Sequence, residues 1–151
     1  DVAAVVATMD LNVNYEKLRR AVVLIRQGAR FVATNLDPTR PAPDGMLWPG
    51  TGSLIAAIRT GAETDPIVVG KPEPTMFELA LEAMGARPES TAMLGDRLDT
   101  DILGAQRAGL KTILVLSGSS TAEEAEAYRP DFIFQDIAHL LAAWQKDLGL
   151  G

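Results

Sequence analysis

The stretch from Met93 to Ala105, MLGDRLDTDILGA, determines how the rest of this sequence is interpreted. It places Asp96, Asp99 and Asp101 close together, directly after the apolar residues 92–94. Carboxylates crowded at the end of a strand repel one another unless something cationic lies among them. The stretch therefore predicts a buried strand followed by a turn that holds a cation.

The composition limits the identity of that cation. The chain has 151 residues, no cysteine and one histidine, His139, so disulfides, thiolate metal sites and multi-histidine zinc centres are excluded. A metal ion would have to be held by carboxylates, and oxygen ligands of this kind favour a hard ion such as Mg²⁺.

Charge and hydropathy limit the partners and the location. The formal net charge is −6, whereas nucleic-acid binding requires clustered Lys and Arg. No apolar stretch approaches the length of a membrane span, and the N-terminus lacks the pattern of a signal peptide. We therefore expect a cytoplasmic protein without nucleic-acid or membrane partners.

Strand-like and helix-like segments alternate along the chain, which favours an α/β fold with a mainly parallel sheet. The proline-rich segment 35–50 is interpreted as an ordered surface loop, because its prolines exclude a long helix or a central strand. Strands are expected at 2–7, 30–34, 66–70, 91–94, 112–116 and 132–134, and helices at 15–27, 53–59, 74–84, 100–108, from 121, and at 137–148.

Three polar groups follow predicted strands, at the sheet edge where open parallel sheets bind ligands. Asp96 follows the strand 91–94, Lys71 follows 66–70, and a Ser117–Gly118 pair follows 112–116. If these strands are neighbours, carboxylates, an ammonium group and a small hydroxyl loop converge, as in many phosphate sites with Mg²⁺. A simpler alternative is a turn followed by a helix N-terminus, with Thr100 or Asp99 capping the helix and Asp101 favourable to its dipole.

Longer stretches of the chain resemble the haloacid dehalogenase (HAD) superfamily, in its NagD-like phosphatase branch. The core motifs of that branch resemble VVGKPEPTMFELALEAMG at 68–85 and MLGDRLDTDILGAQRAGLKTILVLSG at 93–118. Its cap domain resembles NYEKLRRAVVLIRQGARFVATNLDP at 14–38 and PGTGSLIAAI at 49–58. The resemblance implies a partial cap domain at 1–65 and the C-terminal half of a Rossmann-like HAD core at 66–151.

The resemblance also assigns functional roles to individual residues. Lys71 matches the lysine that contacts phosphate, Asp96 matches a Mg²⁺ ligand, and Asp101 matches its acidic partner at the metal; the three are the implied catalytic set. The segment 36–48 matches a substrate-selecting loop. The implied substrate-binding residues are Lys71 and, at this loop, Asn35, Asp37 and Arg40. Alternatively, Asn35 and Asp37 only tie the loop backbone through side-chain hydrogen bonds.

The nucleophilic aspartate of the superfamily, in a DxDG motif, is not found in this chain. Asp10 follows an apolar run but lacks the second aspartate and the glycine, and it matches the cap strand better. We therefore expect a segment of a longer phosphatase of small phosphate monoesters, which works through an aspartyl-phosphate, and little activity from this chain alone. Without the nucleophile strand, the strand 91–94 would be an open edge, which predicts self-association or pairing with a missing N-terminal segment.

Two other classes of protein compete with this interpretation. A non-catalytic module that binds phosphate or a nucleotide would need only the lysine and the acidic turn. A receiver domain also gathers aspartates at strand ends, but its acidic pair follows the first strand, whereas here the acids come late, after a glycine–lysine–proline motif.

Overall fold

The computed structural model describes residues 2–147, which form two compact units divided between Gly70 and Lys71. The division falls later than the expected boundary after residue 65. The reason is that residues 67–68 pair with a strand of the first unit. Whether the units act as cap and core stays a prediction.

The first unit contains a three-stranded parallel sheet with the strand order β1-β2-β5. Two helices, α1 and α2, contact β1. The elements are β1 (Ala4–Ala7), α1 (Tyr15–Arg26), β2 (Arg30–Ala33), β3 (Thr39–Pro41), β4 (Leu47–Pro49), α2 (Thr51–Ala62) and β5 (Ile67–Val68).

Local sequence explains the beginning of α1 and the position of the core. The Asn14 side chain accepts a hydrogen bond of 3.1 Å from the backbone N–H of Lys17, which caps the helix. Alternation along β2 turns Phe31 and Ala33 inward, and both are buried. They pack with apolar residues of β1, α1 and α2, namely Ala7, Ile25, Ile55, Ile58 and Ala62.

The segment expected to be an irregular loop contains an antiparallel hairpin, β3–β4. Its turn lies around Asp44 and Gly45, and the φ of Gly45 is +77°. The prolines are compatible with this hairpin because it has only two strands, so the donor that each proline lacks is not needed by a third strand. An Asp-Gly pair between short β segments is a known hairpin signal, and the prolines concealed it.

The second unit contains a parallel sheet with the order β6-β7-β8. β6 pairs with β7 alone, so within residues 2–147 its other edge carries no strand. The elements are α3 (Thr75–Met84), β6 (Ala92–Gly95), a π-helical turn (Leu98–Ile102), α4 (Leu103–Arg107), β7 (Lys111–Val115), α5 (Ala122–Tyr128), β8 (Phe132–Phe134) and α6 (Ile137–Asp147). The expected end of the last helix, Leu148, lies outside the described residues.

Helix capping and core packing agree with the sequence pattern in this unit. Thr121 and Glu124 form a reciprocal capping box at the start of α5. Leu98 and Ile102, on the π-helical turn, pack with Leu114 of β7 and Ala125 of α5. The predicted α/β class with parallel sheets is confirmed.

Across residues 2–147 no helix has the length and apolarity needed to cross a membrane.

Candidate metal and phosphate site

A turn after β6 presents the acidic residues, and Asp101 closes it. Asp101 is buried, with 4% of its surface exposed. Its Oδ2 accepts hydrogen bonds from the backbone N–H of Asp96, at 3.3 Å, and of Arg97, at 3.2 Å. The carboxylate therefore substitutes for the backbone acceptors that a turn of this shape lacks.

Lys71 meets the other oxygen of the same carboxylate. Its Nζ lies 2.6 Å from Asp101 Oδ1, and the lysine side chain is 38% exposed. The strand before Lys71 pairs with β2 rather than with a strand of the second sheet, contrary to the arrangement considered from sequence. Lys71 is the first residue of the second unit, and it contacts Asp101 within that unit. The lysine and the acidic turn therefore meet although the strand before Lys71 does not belong to the second sheet.

The carboxylate of Asp96 is held by the loop that follows β7. The backbone N–H of Ser119 donates to Asp96 Oδ2 at 2.9 Å. This hydrogen bond is the main cause of the lowered pKa of Asp96. Its effect outweighs that of partial burial, which by itself would raise the pKa. Asp96 is therefore ionised at neutral pH, the state that a cation requires.

Two glycines allow these close approaches. A Cβ at Gly118 would collide with the carboxylate of Asp96, and a Cβ at Gly95 would collide with Asp101. Sequence reasoning included Gly118 in the loop after β7 but missed Ser119 and Ser120. The available signal was the run of small residues SGSS at 117–120, which allows a loop to fold closely against its neighbour.

Asp99 does not cap the helix, so that prediction is wrong. The N-cap of the π-helical turn is Arg97, whose side chain makes no capping hydrogen bond, and the Asp99 carboxylate binds the Arg97 guanidinium at 3.1 and 2.8 Å. The turn is held by Asp101 from inside, which leaves Asp99 exposed and available to an arginine two residues away.

The other predicted substrate-binding residues belong to the first unit. Asn35 Oδ1 accepts a 3.2 Å hydrogen bond from the backbone N–H of Asp37, as the simpler alternative for Asn35 supposed. The Arg40 guanidinium lies 5.0 Å from the centroid of the Trp48 ring, across the β3–β4 hairpin. Asp10 forms a 2.7 Å ion pair with Lys17 in the same unit.

The donor set is suited to a hard cation but is small. Asp96 offers an ionised carboxylate, while both oxygens of Asp101 already accept bonds from nitrogen donors. Residues 2–147 contain no group of three or more acidic, histidine or cysteine side chains that could hold a metal ion. Mg²⁺ fits such a site, because in proteins it commonly takes one or two carboxylates and keeps several waters.

Comparisons with known proteins indicate the family of this chain. Residues 68–140 match the HAD-hydrolase-like family. The chain is 43% identical over 140 residues to a dihydroxyacetone phosphatase from Corynebacterium glutamicum, across 91% of this chain and 50% of that protein. It is 44% identical over 148 residues to human chronophin, across 97% of this chain and 46% of chronophin. The chain belongs to the haloacid dehalogenase superfamily, in its NagD-like phosphatase branch.

A solved structure of the superfamily has a similar fold. The glycerol phosphate phosphatase of Mycobacterium tuberculosis, in complex with magnesium, gives a TM-score of 0.82 at 42% identity. The match covers 91% of this chain and 42% of that one. The chain thus spans about half the length of the curated relatives it matches.

Proposed function

We propose that this chain carries the lysine and metal-binding half of the active site of a Mg²⁺-dependent phosphatase that acts on small phosphate monoesters. The observation that carries the proposal is the placement of Asp101. One oxygen of its carboxylate binds Lys71 Nζ, and the other binds the backbone at Asp96. A single buried acid thus fixes both a cationic donor and the candidate metal ligand.

Each of the three residues has a separate task in this proposal. Asp96 holds the metal ion through its ionised carboxylate. Lys71 donates a hydrogen bond to a phosphate oxygen and offsets its charge. Asp101 orients Lys71 and the turn through its hydrogen bonds, and it stays the proposed acidic partner of Asp96 at the metal. When bound, Mg²⁺ supplies positive charge at the phosphate oxygens.

Turnover belongs to the whole protein in this proposal. The resemblance implies a nucleophilic aspartate that forms an aspartyl-phosphate, and this sequence contains no DxDG motif to supply it. The dihydroxyacetone phosphatase and the glycerol phosphate phosphatase among the relatives support a small phosphorylated substrate. The chain by itself should bind Mg²⁺ and phosphate without appreciable hydrolysis.

The β3–β4 hairpin is our candidate for substrate selection. The stacked pair of Arg40 and Trp48 stiffens it, and Trp48 Nε1 donates to Asp44 Oδ2 at 3.2 Å. Asn35 and Asp37 lie at its base, where the Asp37 carbonyl oxygen accepts a bond from the backbone N–H of Gly52. A stiff, exposed hairpin suits discrimination between substrates, and its polar residues Asn35, Asp37 and Arg40 stay proposed contributors.

Cytoplasmic location and self-association also stay predictions. The open edge of β6 (Ala92–Gly95) supports association with another strand, from a second copy or from a further segment. Light scattering across a range of concentrations would detect this as a mass above 16.1 kDa, the mass of a single chain. A concentration-independent mass of one chain would contradict self-association.

The function is tested by calorimetric titration with Mg²⁺ and then with inorganic phosphate, beside a p-nitrophenyl phosphate assay. The unmodified chain should bind Mg²⁺, bind phosphate more tightly when the metal is present, and release no measurable nitrophenol. Asp96→Asn should abolish Mg²⁺ binding, whereas Lys71→Ala should retain the metal and lose phosphate. Mg²⁺ binding that survives Asp96→Asn would contradict the proposed site.

A further inference from the structure

Three consecutive backbone N–H groups in the turn after β6 donate hydrogen bonds to side chains from two different segments. The N–H groups of Asp96 and Arg97 donate to Asp101, as described above. The next N–H, of Leu98, donates to the hydroxyl oxygen of Ser120 at 3.1 Å in a partly buried position. The turn therefore depends on one acceptor from its own helix and one from the distant β7–α5 loop.

Ser120 binds this turn twice. Its hydroxyl accepts from Leu98, and its own backbone N–H donates to the carbonyl oxygen of Asp96 at 3.2 Å. These two bonds attach Ser120 to the turn at Asp96 and at Leu98. The preceding residue, Ser119, then donates its N–H to the Asp96 carboxylate.

Both ends of this connection are anchored in the fold. Leu98 is 4% exposed and packs in the core of the second unit. Thr121, directly after Ser120, caps α5. Because Leu98 and Thr121 are both fixed in the fold, we infer that the Ser120 hydroxyl determines the spacing between the acidic turn and the loop that binds the Asp96 carboxylate.

We propose that Ser120 is a positioning residue for the candidate metal ligand Asp96, an inference that rests on the proposed function. The Ser120 hydroxyl holds the turn against the loop, and this fixes the rotation of the Asp96 carboxylate through the Ser119 N–H. Removing the hydroxyl leaves the Leu98 N–H without its acceptor, and the turn moves to regain one. The carboxylate then samples orientations that bind a cation less well.

The first experiment measures Mg²⁺ dissociation constants by calorimetry for the unmodified chain and three variants. Loss of a group that orients a metal ligand weakens binding by about 10-fold or more, and we expect this of Ser120→Ala. Ser120→Thr keeps the hydroxyl and should restore most of the affinity. Ser90→Ala is the matched control, because Ser90 also bonds a backbone group in this unit, the Arg87 carbonyl oxygen, away from the acidic turn.

A second readout is independent of the metal. Amide hydrogen exchange should be faster at Leu98 in Ser120→Ala than in the unmodified chain, with Ser120→Thr between them. Equal Mg²⁺ affinity in the unmodified chain and Ser120→Ala, or unchanged exchange at Leu98, would overturn the inference while leaving the metal site standing. If the unmodified chain bound no Mg²⁺, both the inference and the proposed metal site would be overturned.

Discussion

The two ends of the parallel sheet in the second unit both use aspartates, but for different purposes. At the N-terminal ends of the strands, Asp131 Oδ2 accepts bonds from the backbone N–H and the hydroxyl of Thr112, at 2.9 and 2.8 Å. Its Oδ1 pairs with Lys111 Nζ at 2.9 Å. These bonds lower the pKa of Asp131 from 3.8 to about 2, with the lysine as the largest cause.

At the C-terminal ends, the partners of the acids lie in a turn and a loop instead of in neighbouring strands. Asp101 binds two turn amides and Lys71, and Asp96 binds the loop after β7. Asp131 thus links β7 to β8, whereas the groups that Asp101 binds lie outside the strands. In our proposal the first arrangement serves folding and the second serves a ligand.

The largest effect should come from Asp101→Asn. The amide cannot accept bonds as a carboxylate does, and its N–H₂ group would face backbone donors or Lys71. Removing a buried charge that accepts three hydrogen bonds should lower the free energy of unfolding by about 2–4 kcal/mol and weaken phosphate binding. Urea unfolding and a phosphate titration measure both effects.

Asp99→Asn is the control for this change. Asp99 lies in the same turn, but its side chain is 58% exposed and forms a surface ion pair with Arg97. Such a substitution should alter stability by no more than about 0.5 kcal/mol. If the two variants were equally stable, Asp101 would not organise the turn.

An intermediate effect is expected from Gly118→Ala. The new methyl group would collide with the Asp96 carboxylate, and forcing it aside should lower stability by about 1–3 kcal/mol. Mg²⁺ affinity should fall by about 10-fold, because the carboxylate loses its fixed orientation. Gly45→Ala in the hairpin turn, where φ is +77°, should cost stability but leave Mg²⁺ affinity unchanged in the same calorimetric titration. Unchanged Mg²⁺ affinity in Gly118→Ala would contradict the proposed role of the loop after β7 in orienting Asp96.

An effect smaller than that of Gly118→Ala is expected from Asp131→Asn, and it should depend on pH. Because folding lowers the pKa of Asp131, its carboxylate stabilises the fold above pH 3.8 and loses this contribution as the pH falls towards about 2. Unfolding by urea at neutral pH should show a loss of about 1–2 kcal/mol, since charged hydrogen bonds are lost from a partly exposed group. The difference from the unmodified chain should shrink steadily below pH 4, and a difference that did not change with pH would contradict the assignment.

Sequence reasoning succeeded where the signal was local. The strand Phe132–Phe134 and the Thr121 cap follow from β propensity and from capping chemistry within a few residues. Lys71, Asp96 and Asp101 were selected by two short motifs, and the structure brings Lys71 and Asp101 into contact. A metal ion at Asp96 stays a prediction.

The sequence was uninformative where non-local pairing decided the outcome. No local feature shows that residues 67–68 pair with β2 in the first unit. Ser119 and Ser120 were missed because serine is common in loops, and their importance depends on contacts more than twenty residues away. The β3–β4 hairpin was missed because its prolines outweighed the Asp-Gly turn signal.

The most direct test of the account compares metal-linked stability at the two ends of the sheet. The free energy of unfolding is measured by urea with and without saturating Mg²⁺ for the unmodified chain, Asp96→Asn and Asp131→Asn, since a ligand that binds the folded state adds stability. Mg²⁺ should stabilise the unmodified chain and Asp131→Asn by the same increment and should leave Asp96→Asn unchanged. An increment that persists in Asp96→Asn, or that is lost in Asp131→Asn, would contradict the division between a ligand-binding end and a structural end.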